Sequence, residues 1–338
     1  MYKDEQSIPQ VFNQYFTSIA EKIHETMPDP PAGNSFSDYL HDISIPNSFY
    51  FSPVNSEKIE SIITCLKNKS SNISTYSTKV IKSIKSLLSP VLSSLINKSF
   101  TTGVFPKFLK IAHVIPIFKS GNKTDPGNYR PISILPILSK IFEKVVTDQL
   151  YSFFDHFKLF SSSQFGFRKN LSTSNATSNM LQFIYNNLDN GFTVLSLFLD
   201  FSKAFDCVDH KILLHKLNVY GIRGIALTWF QSYLSNRVQY VSINGSNSDH
   251  LVVKSGVPQG SILGPLLFLI YINDFPNSSN FFKFNLFADD STLSLKYRNL
   301  PMNLLADTIN CELIKVNNWL LVNKIKVNVS KSKFMVFA

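Results

Sequence analysis

The spacing of hydrophobic and polar residues predicts the order of helices and strands along this chain. In several stretches, apolar residues recur three or four positions apart, which places them on one face of a helix. The helices predicted in this way cover residues 9–27, 56–66, 80–96, 136–157, 210–220 and 261–275. Ser56 and Asp209 suit the N-cap positions of two of these helices, and Pro136 suits the first position of a third.

Shorter apolar runs predict β-strands between the helices. Residues 112–118 and 192–200 are rich in β-branched and aromatic side chains, and the second run is apolar enough to be buried on both faces. Residues 238–253 predict a hairpin. Residues 28–56 contain five prolines and many Ser and Asn, which is typical of a linker or a loosely packed arm, and the polar residues 67–77 indicate a loop.

A second hairpin is predicted around two adjacent carboxylates, Asp289 and Asp290. Apolar residues occupy alternate positions over 284–288 and again over 293–295, but in the opposite phase. Because successive strand residues point to opposite faces, the change of phase indicates a tight turn with both carboxylates at its tip. Two anions held side by side repel each other, and a divalent cation or a shared proton would offset the repulsion. A solvated loop is the alternative.

Asp200 stands at the end of the predicted 192–200 strand, where an isolated carboxylate is costly to desolvate. If this strand lies beside the 284–295 hairpin, Asp200 approaches Asp289 and Asp290. Three converging carboxylates suit two Mg²⁺ ions about 3.5–4 Å apart, which activate an attacking hydroxyl and stabilise a departing pyrophosphate. Phosphoryl transfer is therefore the candidate chemistry, and a cap on the turn after the strand is the alternative role for Asp200.

Composition favours a folded protein with a polyanionic partner. The chain has 338 residues, enough to bury a large core, and its 44% hydrophobic content excludes wholesale disorder. Lys and Arg number 33 against 23 acids, and the net charge of +10 favours nucleic acid as a partner. Three widely spaced cysteines, Cys65, Cys207 and Cys311, match no zinc pattern and fit a reducing compartment.

No segment of the sequence predicts a membrane anchor. Residues Met1 to Glu5 are charged and contain no signal-peptide core. The longest apolar run, 262–272, is too short to span a bilayer and contains Gly264 and Pro265. We therefore expect a soluble intracellular protein, in the nucleus and/or the cytoplasm, with no membrane partner and an oligomeric state that the sequence does not indicate.

A series of short motifs follows in order along residues 113–331. The motifs are His113-Val-Ile-Pro-Ile-Phe118 with Lys119-Ser-Gly-Asn122, Asn128-Tyr-Arg-Pro-Ile-Ser133, Leu138-Ser-Lys-Ile-Phe-Glu-Lys144, Gln164-Phe-Gly-Phe-Arg168, Leu197-Phe-Leu-Asp-Phe-Ser-Lys-Ala-Phe-Asp206, Gly256-Val-Pro-Gln-Gly-Ser-Ile-Leu-Gly-Pro265, Tyr271-Ile-Asn-Asp274, Phe287-Ala-Asp-Asp290 and Asn328-Val-Ser-Lys331. Together they resemble the blocks of reverse transcriptases from LINE-type non-LTR retrotransposons. The resemblance implies an α+β fold, a right-hand polymerase with fingers and a palm whose antiparallel sheet is backed by helices.

The resemblance also implies the catalytic and metal-binding residues. Asp200 and Asp289 match the principal ligands of the catalytic Mg²⁺ ions, with Mn²⁺ as an alternative ion, and Asp290 stands beside them. Phe201 would contribute its backbone carbonyl. Phe205, five residues after Asp200, would lie beneath the sugar of the incoming nucleotide and exclude a 2′-hydroxyl, which selects deoxynucleotides and disfavours an RNA-making polymerase. A core aromatic is the alternative for Phe205.

Further nucleotide contacts are implied for Lys119, Arg130, Gln259, Gly260 and Lys331. Lys119 and Arg130 resemble cations of the fingers that bind the triphosphate, although a solvated surface role is common for such residues. The glycines beside Gln259 permit a close approach to the nucleotide or simply serve tight turns. Lys331 would protonate the leaving pyrophosphate, and the nearby Lys333 leaves the register of this motif open.

Template contacts are implied for Gln164, Phe167 and Arg168, through backbone and stacking. The implied reaction is that of an RNA-directed DNA polymerase, in which a primer 3′-hydroxyl attacks the α-phosphate of a deoxynucleoside triphosphate. Its partners would be an RNA template, a DNA primer and the nucleotide. The alternative is a catalytically idle retrotransposon remnant that only binds RNA or DNA.

The resemblance divides the chain into three parts. Residues 1–56 would form an N-terminal helix and a linker rich in Pro, Ser and Asn, residues 57–190 the fingers side, and residues 191–338 the palm. The reverse transcriptase domain itself would cover about 110–338. Because the chain ends just past the Lys331 motif and has no endonuclease ahead of residue 1, we expect a fragment or a decayed copy of a larger polyprotein, without a thumb.

Overall fold

A computed structural model describes residues 7–40, 45–67, 77–299 and 301–338. The α-helices are α1 Ile8–Glu25, α2 Ser56–Cys65, α3 Thr78–Ser83, α4 Lys85–Thr102, α5 Ile137–His156, α6 Thr173–Asp189, α7 His210–Val219, α8 Gly224–Leu234, α9 Gly264–Tyr271 and α10 Met302–Val322. The β-strands are β1 Ile111–Phe118, β2 Tyr129–Ile134, β3 Thr193–Leu199, β4 Arg237–Ile243, β5 Ser246–Asn247, β6 Leu251–Val253, β7 Lys283–Phe287, β8 Asp290–Tyr297 and β9 Lys333–Phe337. The charged N-terminus and most of the loop predicted at 67–77 lie outside the described residues.

The strands form two sheets. The first has the order β2-β1-β4-β5, with β6 also paired to β4. Its strands β1 and β4 run parallel, while the other neighbours are antiparallel. The second sheet, β7-β8-β3-β9, is wholly antiparallel. The chain is therefore a mixed fold of helices and largely antiparallel sheets, which confirms the α+β prediction at this level.

Most predicted helices are present, but some of their ends differ. Asn55 caps α2 in place of Ser56, since its Oδ1 accepts a hydrogen bond from the Lys58 N–H at 3.0 Å. Pro136 is the N-cap of α5 and precedes its first residue. The helix predicted at 261–275 is shortened to α9, because the Ser261 hydroxyl accepts the Gly264 N–H at 2.9 Å in the turn that precedes the helix.

Strand β3 lies at the centre of the second sheet, between β8 and β9. Only Val194 and Ser196 are buried in it, while the residues on its other face are partly exposed. The residues of the other face, Leu195, Leu197 and Leu199, still pack against the large core. The predicted burial on both faces is therefore found only in part, because this face is partly and not fully buried.

One large hydrophobic core connects the helices with the second sheet, and it includes part of the segment predicted to be a linker. Ile45, Phe49 and Val54 are buried in this core. The Phe49 N–H also donates to the carbonyl oxygen of Gly221 at 2.8 Å. The prediction of a loosely packed arm is wrong for this stretch, because its apolar side chains find partners in spite of the surrounding prolines.

A smaller core holds α1 against the first sheet. Phe12 and Phe16 on the helix pack against Val114 of β1 and Val241 of β4. The amide of Asn13 strengthens this contact, since its nitrogen donates to the Asp249 carbonyl at 2.8 Å. The apolar face predicted for residues 9–27 therefore has its partner surface in this sheet.

Candidate active site

A tight turn between β7 and β8 presents the paired carboxylates. Phe287 pairs with Asp290 across the hairpin, so Ala288 and Asp289 are the two turn residues. Ala288 has φ +56, a left-handed conformation that a residue with a Cβ adopts infrequently. The predicted hairpin is confirmed, but only Asp289 of the two carboxylates lies in the turn, and Asp290 is the first residue of β8.

Strand β3 carries Asp200 to the same end of the sheet. Leu199 lies opposite Ser291 in the β3–β8 ladder, so Asp200 comes next to the hairpin tip. Its backbone is held on the other side, where its carbonyl oxygen accepts the Asn328 N–H at 2.7 Å and its N–H donates to the Ser332 hydroxyl at 3.2 Å. The predicted approach of Asp200 to the hairpin carboxylates is therefore found.

The charges around Asp289 are unbalanced. Burial raises the pKa of Asp289 above its ordinary value, and the negative charges of Asp290 and Asp200 raise it further, while Arg130 opposes them. The ammonium of Lys331 lies near Asp200, with its Nζ 4.0 Å from Oδ2. The site thus concentrates negative charge that a divalent cation would neutralise.

The carboxylates do not form the three-membered cluster that we predicted. Across the described part of the chain, no three His, Cys, Asp or Glu side chains are close enough together to hold a metal ion. The reason is the turn geometry, since Asp290 is the first residue of β8 and side chains alternate between faces along a strand. Asp200 and Asp289 still lie within electrostatic range of each other, and Mg²⁺ is commonly held by one or two carboxylates together with substrate phosphates and water.

Positive side chains gather next to this pair. Burial lowers the pKa of the Lys203 ammonium, Asp206 opposes the shift, and the positive charges of Lys119, Lys331 and Arg130 lower the pKa further. These cations come from the β1–β2 hairpin, from the segment after β3 and from the segment before β9. The arrangement places a group of cations beside the carboxylates, as a polyphosphate ligand would require.

Asp206 and Lys203 are site residues that the sequence analysis missed. The Gln259 amide nitrogen donates to both carboxylate oxygens of Asp206, at 2.9 Å each. Burial raises the pKa of Asp206 to about 6, while Gln259 and Lys203 act in the opposite direction. Both residues lie in the same sequence motif as Asp200, and this shared motif is the feature by which the sequence could have identified them.

Gly260 makes a close approach, but to protein backbone. It has φ +114, and a Cβ at this position would lie 2.6 Å from the carbonyl oxygen of Ser133. The Ser133 N–H also donates to the Gln259 carbonyl at 2.7 Å. The sequence analysis left two roles open for this glycine, a close approach to the nucleotide or a tight turn. The structure shows a turn that packs against β2.

Phe205 lies at the boundary between the core and the site. One face of its ring stacks on Phe268 with the centroids 4.2 Å apart, and the Phe167 ring lies perpendicular to it with the centroids 6.3 Å apart. The ring is only partly buried. Phe205 therefore has a core contact and retains some exposure towards the site.

The three predicted template residues differ in their surroundings. Gln164 is 2% exposed, and its amide is hydrogen-bonded to backbone, so a template contact of this residue would involve its main chain and not its side chain. Arg168 stacks on the Phe160 ring at 4.4 Å and donates to the Ser161 carbonyl at 3.4 Å. Phe167 is 54% exposed and has φ +52, so its ring remains the most accessible of the three.

Comparison with known proteins identifies the family. A family model described as reverse transcriptase (RNA-dependent DNA polymerase) matches residues 119–336. The chain is 30% identical over 257 residues to the RNA-directed DNA polymerase from mobile element jockey of Drosophila melanogaster, covering 73% of this chain and 28% of that protein. It is 33% identical over 241 residues to the probable RNA-directed DNA polymerase from transposon X-element of the same organism, covering 69% and 26%.

This chain belongs to the reverse transcriptase family, which confirms the resemblance found in its motifs. It spans about a quarter of the length of these relatives. Within the ranges that the structure describes, no helix combines the length and apolarity needed to cross a membrane. Its three cysteines are free thiols, with Cys65 and Cys311 exposed and Cys207 buried.

Proposed function

We propose that this chain forms the fingers and palm of an RNA-directed DNA polymerase. The observation that carries the proposal is the juxtaposition of Asp200, at the end of β3, with Asp289, at the β7–β8 turn. The second sheet would be the palm, within residues 191–338, and the β1–β2 hairpin would belong to the fingers, within residues 57–190. Family membership supports the polymerase assignment, because the matched region extends from residue 119 to residue 336.

The acidic pair defines the proposed catalytic centre. Asp200, Asp289 and the backbone carbonyl of Phe201 would hold Mg²⁺, or Mn²⁺ as an alternative. Two such ions would supply activation of the primer 3′-hydroxyl and stabilisation of the charge that develops on pyrophosphate. Asp290 would add negative charge without direct ligation, since its side chain is exposed on the first residue of β8.

The cationic side chains would bind and orient the triphosphate. Lys119 and Arg130 lie on the β1–β2 side of the site, and Arg130 is close enough to Asp289 to lower the pKa of that carboxyl. Lys331 would donate a proton to the leaving pyrophosphate. The alternative lysine, Lys333, pairs with Phe198 in the β3–β9 ladder, whereas Lys331 reaches towards Asp200, which favours Lys331 for this role.

Aromatic side chains would contact the sugar and the template. The exposed Phe167 would stack on the template, with Arg168 placed beside it. Phe205 would lie under the deoxyribose and clash with a ribonucleotide. Partners of the complete reaction would be an RNA template, a DNA primer and deoxynucleoside triphosphates, in the nucleus and/or the cytoplasm.

Primer extension on an RNA template tests the proposal. We expect the purified chain to extend a DNA primer with Mg²⁺, and Asp200→Ala or Asp289→Ala to lower the rate by about 10³-fold or more, the equivalent of about 4 kcal/mol in the activation barrier. Asp189→Ala, which removes an exposed carboxylate at the end of α6, is the matched control and should stay within about twofold, as expected for a surface substitution.

Circular dichroism would establish that each variant remains folded. Undiminished extension by either folded catalytic variant would contradict the proposal. If the unsubstituted chain binds RNA or DNA but does not extend the primer, the alternative of a catalytically idle remnant would be favoured. No specific observation supports that alternative.

A further inference from the structure

The side chain of Gln164 is hydrogen-bonded to the turn that carries Asp289. Its Oε1 accepts the backbone N–H of Ala288 at 2.9 Å and that of Gly166 at 2.7 Å. Its Nε2 faces the carbonyl oxygen of Ala288 at 3.5 Å, a longer contact. The N–H and the carbonyl of one turn residue thus both face the same buried amide.

The backbone around Gln164 adds a second attachment to the hairpin. The Phe165 N–H donates to the Leu286 carbonyl, and the Leu286 N–H donates to the Ser163 carbonyl, both at 2.8 Å. These two bonds place residues 163–165 parallel to β7, like a short additional strand. The position of Gln164 is therefore fixed by main-chain bonds that do not depend on its own side chain.

Gly166 lets the two backbones meet. A Cβ on this residue would lie 2.2 Å from the Ala288 nitrogen and 2.9 Å from the Phe287 carbonyl carbon, distances that no side chain tolerates. The absence of a side chain at Gly166 brings its own N–H within reach of the same Gln164 oxygen. The loop is consequently shaped to fit the hairpin tip.

The conformation of Ala288 requires such support. Its φ of +56 is disfavoured for a residue with a Cβ, and the residue is 4% exposed, so water cannot easily replace a lost hydrogen bond. Asp289 follows directly, and its carboxyl faces the negative charges of Asp200 and Asp290. Without a restraint on Ala288, repulsion between these carboxylates would favour other turn conformations.

We propose that Gln164 is a positioning residue for Asp289, because its side-chain amide clamps Ala288 in the left-handed conformation that directs Asp289 towards Asp200. The inference rests on the proposed function for its consequence, the geometry of a metal-binding pair. In this role Gln164 fixes the conformation of the catalytic turn through hydrogen bonds to its backbone, and it does not contact the substrate.

The chain offers a matched control for this clamp. Gln149, on α5, makes the same pair of bonds with one backbone residue, since its Oε1 accepts the Ser52 N–H at 2.9 Å and its Nε2 donates to the Ser52 carbonyl at 2.8 Å. This second clamp joins α5 to the segment before α2 and contacts none of the site residues. Each of the substitutions Gln164→Met and Gln149→Met therefore removes the contacts of an amide with the N–H and the carbonyl of one backbone residue. Gln164→Met also removes the bond to the Gly166 N–H, and it is the substitution that acts on the catalytic turn.

Residue-resolved amide hydrogen exchange measures the clamp itself. Gln164→Met should accelerate exchange at Ala288 by about tenfold or more, while Gln149→Met should leave Ala288 within about twofold and act near Ser52. Mn²⁺ binding, followed by electron paramagnetic resonance, measures positioning. Gln164→Met should weaken Mn²⁺ affinity by about fivefold or more, and Gln149→Met should not change it.

The outcomes separate the clamp from the proposed function. Unchanged exchange at Ala288 in Gln164→Met would overturn the clamp, and faster exchange with unchanged Mn²⁺ affinity would overturn positioning. If the unsubstituted chain binds no Mn²⁺ while Gln164→Met still frees Ala288, the proposed metal function fails and the clamp stands. If Gln164→Met does not fold, Gln164→Asn, whose amide is one methylene too short to reach Ala288, carries the same expectations.

Discussion

Two carboxylates that stand 15 residues apart, Asp274 and Asp289, occupy opposite electrostatic environments. Asp274 is fully buried, with one oxygen 2.6 Å from the Lys216 Nζ and the other accepting the Trp319 indole N–H at 3.0 Å. Asp289 is partly exposed at a turn and faces the like charges of Asp200 and Asp290. The first carboxylate is satisfied by its surroundings, while the second needs a cation.

The partner of Asp274 is satisfied as well. The Lys216 ammonium donates to the Tyr271 carbonyl at 2.6 Å and lies about 5 Å from the ring centroids of Tyr271 and Trp319. This pair ties α7 to the end of α9 and to α10. The Tyr271-Ile-Asn-Asp274 motif therefore stabilises the fold, whereas the Phe287-Ala-Asp-Asp290 motif concentrates unpaired charge. Two motifs that both end in an aspartate therefore have different physical roles.

The largest effect that distinguishes the two regions is expected for Asp274→Asn. Removing one charge of a buried pair leaves Lys216 uncompensated, and the free energy of unfolding should fall by about 3–5 kcal/mol. Urea denaturation at neutral pH measures this, with the exposed Asp189→Asn as a control that should change it by less than about 0.5 kcal/mol. A loss below about 1 kcal/mol for Asp274→Asn would show that the buried pair is not held as a pair of charges.

Phe205 tests the boundary between the core and the site. We expect Phe205→Val to raise ribonucleotide use relative to deoxyribonucleotide use by about a hundredfold, about 2.7 kcal/mol, because a smaller side chain removes the clash with the 2′-hydroxyl. The measurement is the ratio of kcat/KM for the two sugars on one primer–template. Phe268→Leu, on the core side of the stack, should lower stability without changing that ratio. An unchanged ratio in Phe205→Val would assign the ring to the core alone.

The pH dependence of stability tests the ionisation of Asp206, whose surroundings are intermediate between those of Asp274 and Asp289. Its pKa is about 6 in the folded chain, above the ordinary value of 3.8, so the folded state binds the extra proton and stability falls as pH rises through this window. From pH 5 to 7 the loss should be on the order of 1 kcal/mol. Asp206→Asn should remove this part of the slope. An identical slope in the variant, measured by urea denaturation, would mean that Asp206 ionises normally.

The smallest effect is expected for the stability of Asp289→Asn. The substitution deletes a charge that faces two like charges, so the free energy of unfolding should stay unchanged or rise by up to about 1 kcal/mol. The same denaturation experiment as for Asp274→Asn makes the comparison direct. A destabilisation above about 2 kcal/mol would indicate that Asp289 supports the fold, and the contrast between the two carboxylates would disappear.

Local sequence pattern was sufficient for the elements that present the acidic pair. The change of apolar phase around Asp289 predicted the hairpin, and the end of an apolar run located Asp200 at a strand terminus. Asp209 was predicted to cap a helix, and its Oδ1 accepts the N–H groups of Lys211 and Ile212. These features depend on residues within a few positions of one another, so periodicity and capping preferences contain the necessary information.

The sequence by itself determined the family, the order of most helices and strands, and the placement of Asp200 and Asp289 at one end of a sheet. Only the tertiary structure decided which polar groups meet across long separations. The Gln164 contact with Ala288 joins residues 124 positions apart, the Asp206 contact with Gln259 spans 53, and the Lys216–Asp274 pair spans 58. Hydrogen bonds of this kind leave no periodic pattern in the sequence, because the tertiary packing of distant segments decides which side chains meet.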